Sequence, residues 1–370
     1  MRILIAGGGT AGHVFPAIAV ARRLVDDHGA DVEFLGTAGG QEARLVPAAG
    51  FPLLEMEAKP LLRKASLATL RAPFVAFGSM RRCRPMVAEA DAVLGMGGYV
   101  SAPPVVAAWR SKTPVVLHEQ NAIPGLANKM CSRFARTTAV AFAEAESGLP
   151  GRARVEVTGN PIREVIAAVP AERRRLAKEA HAELDLDPER RTVVIFGGSQ
   201  GALHIDRAAV GACTLLRDRA DLQVLLLTGP AHHEATVRGL PADAALVVRA
   251  MPFLDRMELA YAAADLVVSR AGATTIAEVS ASGVPSVLVP YPYATANHQE
   301  ANARALQRAG GASVVLDDQL TAELLAERIE SLLDHDERLR AMADAASAWA
   351  RPDAAATVAE LVVRAAEERR

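Results

Sequence analysis

SRAGATTIAEVSASGVPSVLVPYPYATANHQEANA, residues 269–303, is the stretch whose reading decides the fold. The apolar run 266–269 that leads into it reads as a buried parallel strand. That strand ends in the turn Arg270-Ala271-Gly272-Ala273, and helical spacing follows over 274–282. Gly283 suits the C-terminal cap of this helix, with Pro285 behind it as a stop signal. Residues 286–289 form the next strand, a loop holding Pro290 and Pro292 follows, and a second helix opens at His298-Gln299. Two successive helix N-termini thus lie at the carboxyl ends of adjacent strands, where open α/β sheets bind ligands. Their N–H groups suit a diphosphate. Glu278, one turn into the first helix, is an acceptor-only carboxylate fit to grip two ribose hydroxyls. Gln299 and its neighbour His298 are placed to read sugar hydroxyls from the second helix. In outline this is a nucleotide-sugar site, although a solvated helical Glu in such a unit is common.

Upstream of this stretch the same grammar runs back through the second half. Residues 192–196 read as a strand, followed by Gly197-Gly198-Ser199-Gln200-Gly201-Ala202 and a helix; 222–227 and 245–248 are further strands, and 251–254 a loop. The first half begins alike. A strand over 2–6 leads into Gly7-Gly8-Gly9-Thr10-Ala11-Gly12-His13, a helix over about 16–27, and a second strand over 32–35. Gly7, Gly9 and Gly12 formally satisfy the dinucleotide fingerprint, which also wants an acidic residue at the end of the second strand. Here that strand ends Leu35-Gly36-Thr37 with Glu33 inside it, which argues against an NAD enzyme. Residues 92–101 are a strand into another Gly-rich turn, and 114–117 a strand ending in His118-Glu119-Gln120-Asn121. A strand over 155–157 precedes Gly159-Asn160-Pro161-Ile162-Arg163. Two doubly wound halves, each opening strand–glycine loop–helix, predict an α/β protein of two Rossmann-like domains facing across a cleft. Residues 1–163 form the first and 164–349 the second, with a last helix over about 350–370 crossing back to pack on the first.

At 370 residues the chain is long enough for two domains. Its net charge of −2 argues against a dedicated nucleic-acid binder. Cys83, Cys131 and Cys213 share no metal or redox spacing, which fits buried thiols in a reducing cytoplasm. The amino terminus passes straight into a glycine loop and does not read as a signal peptide. The uncharged stretch 92–109 holds Gly95, Gly97, Gly98, Pro103 and Pro104, poor material for a transmembrane helix. In 66–84, Leu67, Leu70, Phe74 and Phe77 recur at helical spacing with Val75 and Met80 nearby, among Arg63, Lys64, Arg71, Arg81, Arg82 and Arg84. Such a segment either lies in an anionic membrane interface or packs on the core behind a solvated basic face.

GGGTAGHVFPA, GMGGYVS, HEQN, GNPIR, GGSQGA and the stretch 269–303 occur together in this order, beginning at Gly7, Gly95, His118, Gly159, Gly197 and Ser269. On these motifs the chain resembles the MurG family nearly end to end. That resemblance implies the GT-B fold and inverting transfer of N-acetylglucosamine from UDP-GlcNAc to the undecaprenyl-pyrophosphoryl-MurNAc-pentapeptide lipid I. The product is lipid II of peptidoglycan synthesis, made by a peripheral protein on the cytoplasmic side of the cell membrane. It places Thr10, Ala11, Gly12 and Asn121 at the donor's sugar side, and Arg163 and Ser199 near the diphosphate. It sets the backbone of Leu254 on the uracil, and Ala273, Thr274, Thr275, Ile276, Ala277 and Glu278 along the nucleotide, with Glu278 on the ribose and Gln299 on the sugar. Relatives commonly have Gly where Ala11 stands, and some have Gln where His298 stands, so Gln299 is the better sugar contact.

The expected chemistry is attack of the acceptor hydroxyl on the anomeric carbon as UDP departs from the opposite face. A base takes the hydroxyl proton, and the leaving diphosphate's charge must be stabilised. His13 and Glu119 are the candidate bases. Helix N-termini and Arg163 suit the second task; with no Asp-x-Asp pair near the site, neither a metal nor a cofactor is expected. The expected partners are UDP-GlcNAc, lipid I and the anionic inner membrane leaflet, and no nucleic acid. Two rival readings share the donor site: a UDP-sugar 2-epimerase of the same fold, and a non-catalytic nucleotide-sugar-binding protein.

Overall fold

In the computed structural model, residues 1–56, 67–151, 153–198 and 201–369 are described. They form two units, Met1–Arg163 with Arg351–Arg370, and Glu164–Ala350. The first holds a seven-stranded sheet built from β1 (Arg2–Ala6), β2 (Asp31–Gly36), β3 (Leu53–Glu55), β4 (Ala92–Gly95), β5 (Val115–Glu119), β6 (Thr137–Val140) and β7 (Val155–Val157). Its order is β3-β2-β1-β4-β5-β6-β7, with every pairing parallel. The second holds β8 (Arg191–Phe196), β9 (Leu222–Leu227), β10 (Val247–Met251), β11 (Leu266–Ser269), β12 (Ser286–Leu288) and β13 (Ala312–Val314). Its order is β10-β9-β8-β11-β12-β13, again parallel throughout. In each sheet the order reverses beside the first strand, between β1 and β4 and between β8 and β11. Such switch points open a crevice at the carboxyl ends of the strands, which is where doubly wound folds hold ligands.

Parallel strands are covered on both faces, and the near-continuous apolar runs ILIA and TVVIF follow from that. In the first sheet Ile3, Ile5, Leu94 and Val116 point to one side and pack with Val14, Val20 and Leu24 of the helix Ala11–His28. Leu4, Val93 and Leu117 alternate to the other side, against Val100 and Val105 of the helix Gly98–Arg110 and Cys83 and Val87 of the helix Leu67–Glu89. The Ala-rich helix Ala354–Glu367 completes the first face with Val358, Leu361 and Val362. Each such fully buried aliphatic side chain contributes about 1.5–3 kcal/mol. Cys83, Cys131 and Cys213 are free and buried, and burial pushes their thiols up to about 11, 11 and 12.

Several elements differ from the sequence expectation. The first helix starts at Ala11 rather than near Pro16, so Ala11, Gly12 and His13 form its first turn. Strand β10 begins at Val247 and takes in Met251. The helix Val169–Glu183, for which the sequence carries no expectation, follows the start of the second unit. Among the described residues no helix is long and apolar enough to cross a membrane.

Candidate functional site

In the first unit three loops meet at the carboxyl ends of β1, β4 and β5. The loop after β1 carries Gly9 in a left-handed conformation (φ +86°), and its N–H donates to Glu42 Oε2 at 2.8 Å. Glu42 Oε1 accepts the N–H of Thr37 at 3.0 Å and the Thr37 hydroxyl at 2.7 Å. The carboxylate is fully buried, and Gly8 and Gly40 make room for it: a Cβ on either would lie within 2.5 Å of its atoms. Burial alone pushes this carboxyl up, yet the N–H groups of Gly9 and Thr37 outweigh it and hold the group below the usual carboxylate range. Thr37, at the end of β2, is thereby committed to Glu42, in the place where a dinucleotide fold keeps its ribose-binding acid.

The second glycine loop lies against the first. Gly98 packs on the carbonyl of Gly8, and a Cβ there would meet the His13 ring at 3.8 Å. His13, half-buried in the first helical turn, has Nδ1 2.7 Å from the Thr10 hydroxyl. At the end of β5, His118 Nε2 donates to the Gly159 carbonyl at 3.0 Å, and burial pulls its imidazole down to about 4. His118 is therefore a neutral strut between two loops. Glu119 has an unexpected role. Its Oε1 accepts the backbone N–H of Asn121 (2.9 Å) and the Asn121 amide (3.3 Å), and its Oε2 those of Gly125 (3.0 Å) and Asn128 (2.8 Å). A buried carboxylate with its lone pairs so engaged shapes the loop and is poorly placed to take a substrate proton. Arg163 lies with its guanidinium 5.9 Å from the centroid of the Phe15 ring.

In the second unit the loop after β8 reaches Gly201 (φ +75°), where a Cβ would lie 2.1 Å from the Thr228 carbonyl oxygen. Only glycine fits there, and the helix Leu203–Leu215 follows. Ser199 lies outside the described residues. After β11, Gly272 precedes the helix Ala273–Ala281. Ala273 is nearly buried, and Thr274, Thr275 and Ala277 are partly exposed. Ile276 is fully buried and its N–H bonds the Gly272 carbonyl. Glu278 is not on a solvated face: it is 8% exposed, and its Oε2 accepts the Tyr261 hydroxyl at 3.0 Å.

The loop after β12 carries Ala296 and Asn297, both left-handed (φ 52° and 55°), into the helix His298–Arg308. Gln299 Oε1 accepts the Tyr291 N–H at 2.9 Å, while the His298 ring bonds the Thr295 carbonyl at 2.8 Å. Arg270 binds the carbonyls of Val289 and Pro290, each at 3.2 Å, and pairs with Asp317. It thereby ties the ends of β11, β12 and β13 together. Leu254 is partly exposed in the loop between β10 and the helix Met257–Ala263. Glu42, Asn128, Tyr261 and Arg270 were not singled out in the sequence. Each acts on a partner distant in the chain or through a loop, and no spacing rule announces such pairs.

A GT-B glycosyltransferase is the class that two such parallel-sheet units define, and the comparisons with known proteins agree. Residues 3–140 match the glycosyltransferase family 28 N-terminal domain and residues 192–358 its C-terminal domain. The chain is 41% identical to the UDP-N-acetylglucosamine–N-acetylmuramyl-(pentapeptide) pyrophosphoryl-undecaprenol N-acetylglucosamine transferase of Moorella thermoacetica, covering 99% of this chain and 100% of that one. It is 39% identical to the protein of the same name from Bacillus subtilis, over 96% and 97%. The crystal structure of Acinetobacter baumannii MurG superposes with a TM-score of 0.78 at 31% identity, over 98% and 99% of the chains. The chain belongs to the MurG family of N-acetylglucosamine transferases. A UDP-GlcNAc 2-epimerase from Neisseria meningitidis superposes at 0.68 with 13% identity, a likeness of fold alone.

Proposed function

We propose that this chain transfers N-acetylglucosamine from UDP-GlcNAc to undecaprenyl-pyrophosphoryl-MurNAc-pentapeptide, lipid I, with inversion at the anomeric carbon, forming lipid II. The observation that carries the reading is identity of about 40% along nearly the whole chain to transferases of that name. Glu278, held at the carboxyl end of the second sheet, supports it. In this reading the second unit (164–349) takes the donor. Glu278 binds the ribose, Leu254 the uracil by its backbone, Ala273, Thr274, Thr275 and Ala277 line the nucleotide, and Gln299 meets the sugar. Arg163 and Ser199 meet the diphosphate, and Thr10, Ala11, Gly12 and Asn121 the sugar side. The first unit (1–163 with the C-terminal helix) takes the acceptor.

His13 is the base. With Nδ1 beside the Thr10 hydroxyl, a proton from the acceptor hydroxyl is taken at Nε2. Positive ends of the loop-following helices and Arg163 offset the charge that develops on the departing UDP, without a metal in the reaction. The protein works at the cytoplasmic face of the cell membrane, held there by the basic end of the helix Leu67–Glu89. Arg81, Arg82 and Arg84 are exposed, whereas Arg63, Lys64 and the side chains of 67–77 lie outside the described residues. Exposed Trp109, Leu126 and Met130 in the same unit supply apolar surface of the kind an interface takes up. Labelled UDP-GlcNAc incubated with and without lipid I tests the reading. Label in lipid only when lipid I is present supports it, an isomerised free sugar nucleotide identifies an epimerase, and neither product identifies a binding protein.

A further inference from the structure

We propose that Tyr261 is a positioning residue for donor selection, setting the Glu278 carboxylate so that it distinguishes a ribose from a ribose stripped of its hydroxyls. This rests on the reading of Glu278 as the ribose ligand. Tyr261 is among the largest fully buried side chains of the protein. It lies on the helix Met257–Ala263, which follows the loop carrying Leu254, while Glu278 lies on the helix after β11. Its hydroxyl donates to Glu278 Oε2 at 3.0 Å, and its ring packs edge-on to Phe196 at the end of β8, with centroids 6.3 Å apart.

A rigid aromatic with two rotatable bonds is a low-entropy anchor, and Phe196 fixes its plane. The three elements that deliver this contact all begin or end at the ligand side of the second sheet. A glutamate side chain has three torsions, and its last is broad and weakly restrained by itself. One donor fixed on Oε2 removes that freedom. An ionised carboxylate offers about four acceptor directions, so two vicinal hydroxyls can be accepted while Tyr261 holds one oxygen. This contact does not alter the uracil or diphosphate contacts, so the consequence is confined to the ribose hydroxyls.

The test measures, by calorimetry on the full-length protein, the dissociation constants of UDP and of 2′,3′-dideoxyuridine diphosphate. The ratio of the two isolates the hydroxyls. In the wild type it is about 10 to 100 or more, the usual worth of hydrogen bonds to a charged group. Glu278→Ala brings it near unity. Tyr261→Phe, which keeps the ring, lowers it by about 2- to 10-fold, the worth of one ordinary hydrogen bond, and leaves dideoxy-UDP affinity unchanged. 3-Fluorotyrosine placed at position 261 keeps a more acidic hydroxyl and raises the ratio above wild type. If Tyr261→Phe keeps the wild-type ratio while Glu278→Ala loses it, the proposal is overturned and the ribose reading stands. Equal weakening of both nucleotides by Tyr261→Phe assigns Tyr261 to packing alone and also overturns it. A wild-type ratio in Glu278→Ala removes the ribose reading and this proposal together. Should Tyr261→Phe not fold, the fluorinated protein decides, and an unchanged ratio there overturns the proposal.

Discussion

Replacing Glu42 by Ala removes the acceptor for three donors at once: the Gly9 N–H, the Thr37 N–H and the Thr37 hydroxyl. Each donor left buried without a partner costs about 1–3 kcal/mol. Water entering the vacated space between Gly8, Gly36 and Gly40 recovers part of that. A net loss of about 3–6 kcal/mol follows, a large share of the 5–15 kcal/mol that holds a typical domain. Glu42→Gln keeps the volume but turns an amide N–H₂ toward donors, so it costs about 2–4 kcal/mol by the same reasoning. Because the first glycine loop hangs on this carboxylate, Thr10 and the helical turn with His13 that follows it lose their fixed place before the sheet melts. Urea unfolding followed by near-ultraviolet and far-ultraviolet circular dichroism, with UDP titration by calorimetry, measures both parts. The expected result is a lowered transition for the first unit with the transition of the second unit unchanged, and a UDP affinity no tighter than wild type. A Glu42→Ala protein as stable as wild type, and as active, refutes the assignment of Glu42 as the anchor of the loop.

Glu278→Ala weakens UDP-GlcNAc binding by roughly ten- to more than a hundredfold. Because it also removes the hydrogen bond from the buried Tyr261 hydroxyl, it lowers stability by about 0.5–1.5 kcal/mol; unchanged UDP affinity in calorimetry sinks the ribose assignment. His13→Ala lowers the single-turnover rate by about 10²–10⁴ with little change in donor affinity, and a normal rate removes His13 from the mechanism. Replacing Arg81, Arg82 and Arg84 by Gln releases the protein from anionic vesicles, at about 1 kcal/mol per basic residue and less in high salt; equal vesicle binding by variant and wild type assigns that helix to the core alone. Asp206 is buried with no hydrogen-bond partner on either oxygen among the described residues, and burial pushes its carboxyl up to about 7 although Arg270 pulls the other way. A carboxyl raised in the folded state loses stability as pH rises from its unfolded pKa near 4 through about 7. Asp206→Asn therefore stabilises the protein by about 2–4 kcal/mol above pH 7 and by nothing near pH 4, and equal pH profiles in thermal unfolding contradict it.

Much of this architecture was legible because parallel strands in a doubly wound sheet are apolar on both faces and end in glycine or proline punctuation. Residues 2–6, 222–227 and 266–269 stand as strands with the expected bounds. Short strands carried too few residues to announce themselves: Leu53–Glu55, Thr137–Val140 and Ala312–Val314 were not anticipated. The first helix was placed late because Pro16 looked like its start, whereas Thr10 precedes its first turn. At the site, the loops were readable from their glycines, but what holds them was not. Glu119 carries the residue type of a catalytic base, and only the donors from Asn121, Gly125 and Asn128 show how its carboxylate is used. Glu278 reads either as a ribose ligand or as a solvated helical Glu, and its contact with Tyr261, seventeen residues upstream, has no signal in the spacing.

The central claim, glycosyl transfer to a lipid-linked acceptor, is tested most directly by the stoichiometry and linkage of the product. Purified protein is given UDP-GlcNAc labelled with carbon-13 at the anomeric position, with or without lipid I in detergent micelles, and the reaction is followed by NMR. The account predicts one UDP released for each labelled sugar appearing in lipid, a β coupling at the new anomeric centre, and no UDP release without acceptor. Release of UDP independent of lipid I, or an α linkage in the product, contradicts it.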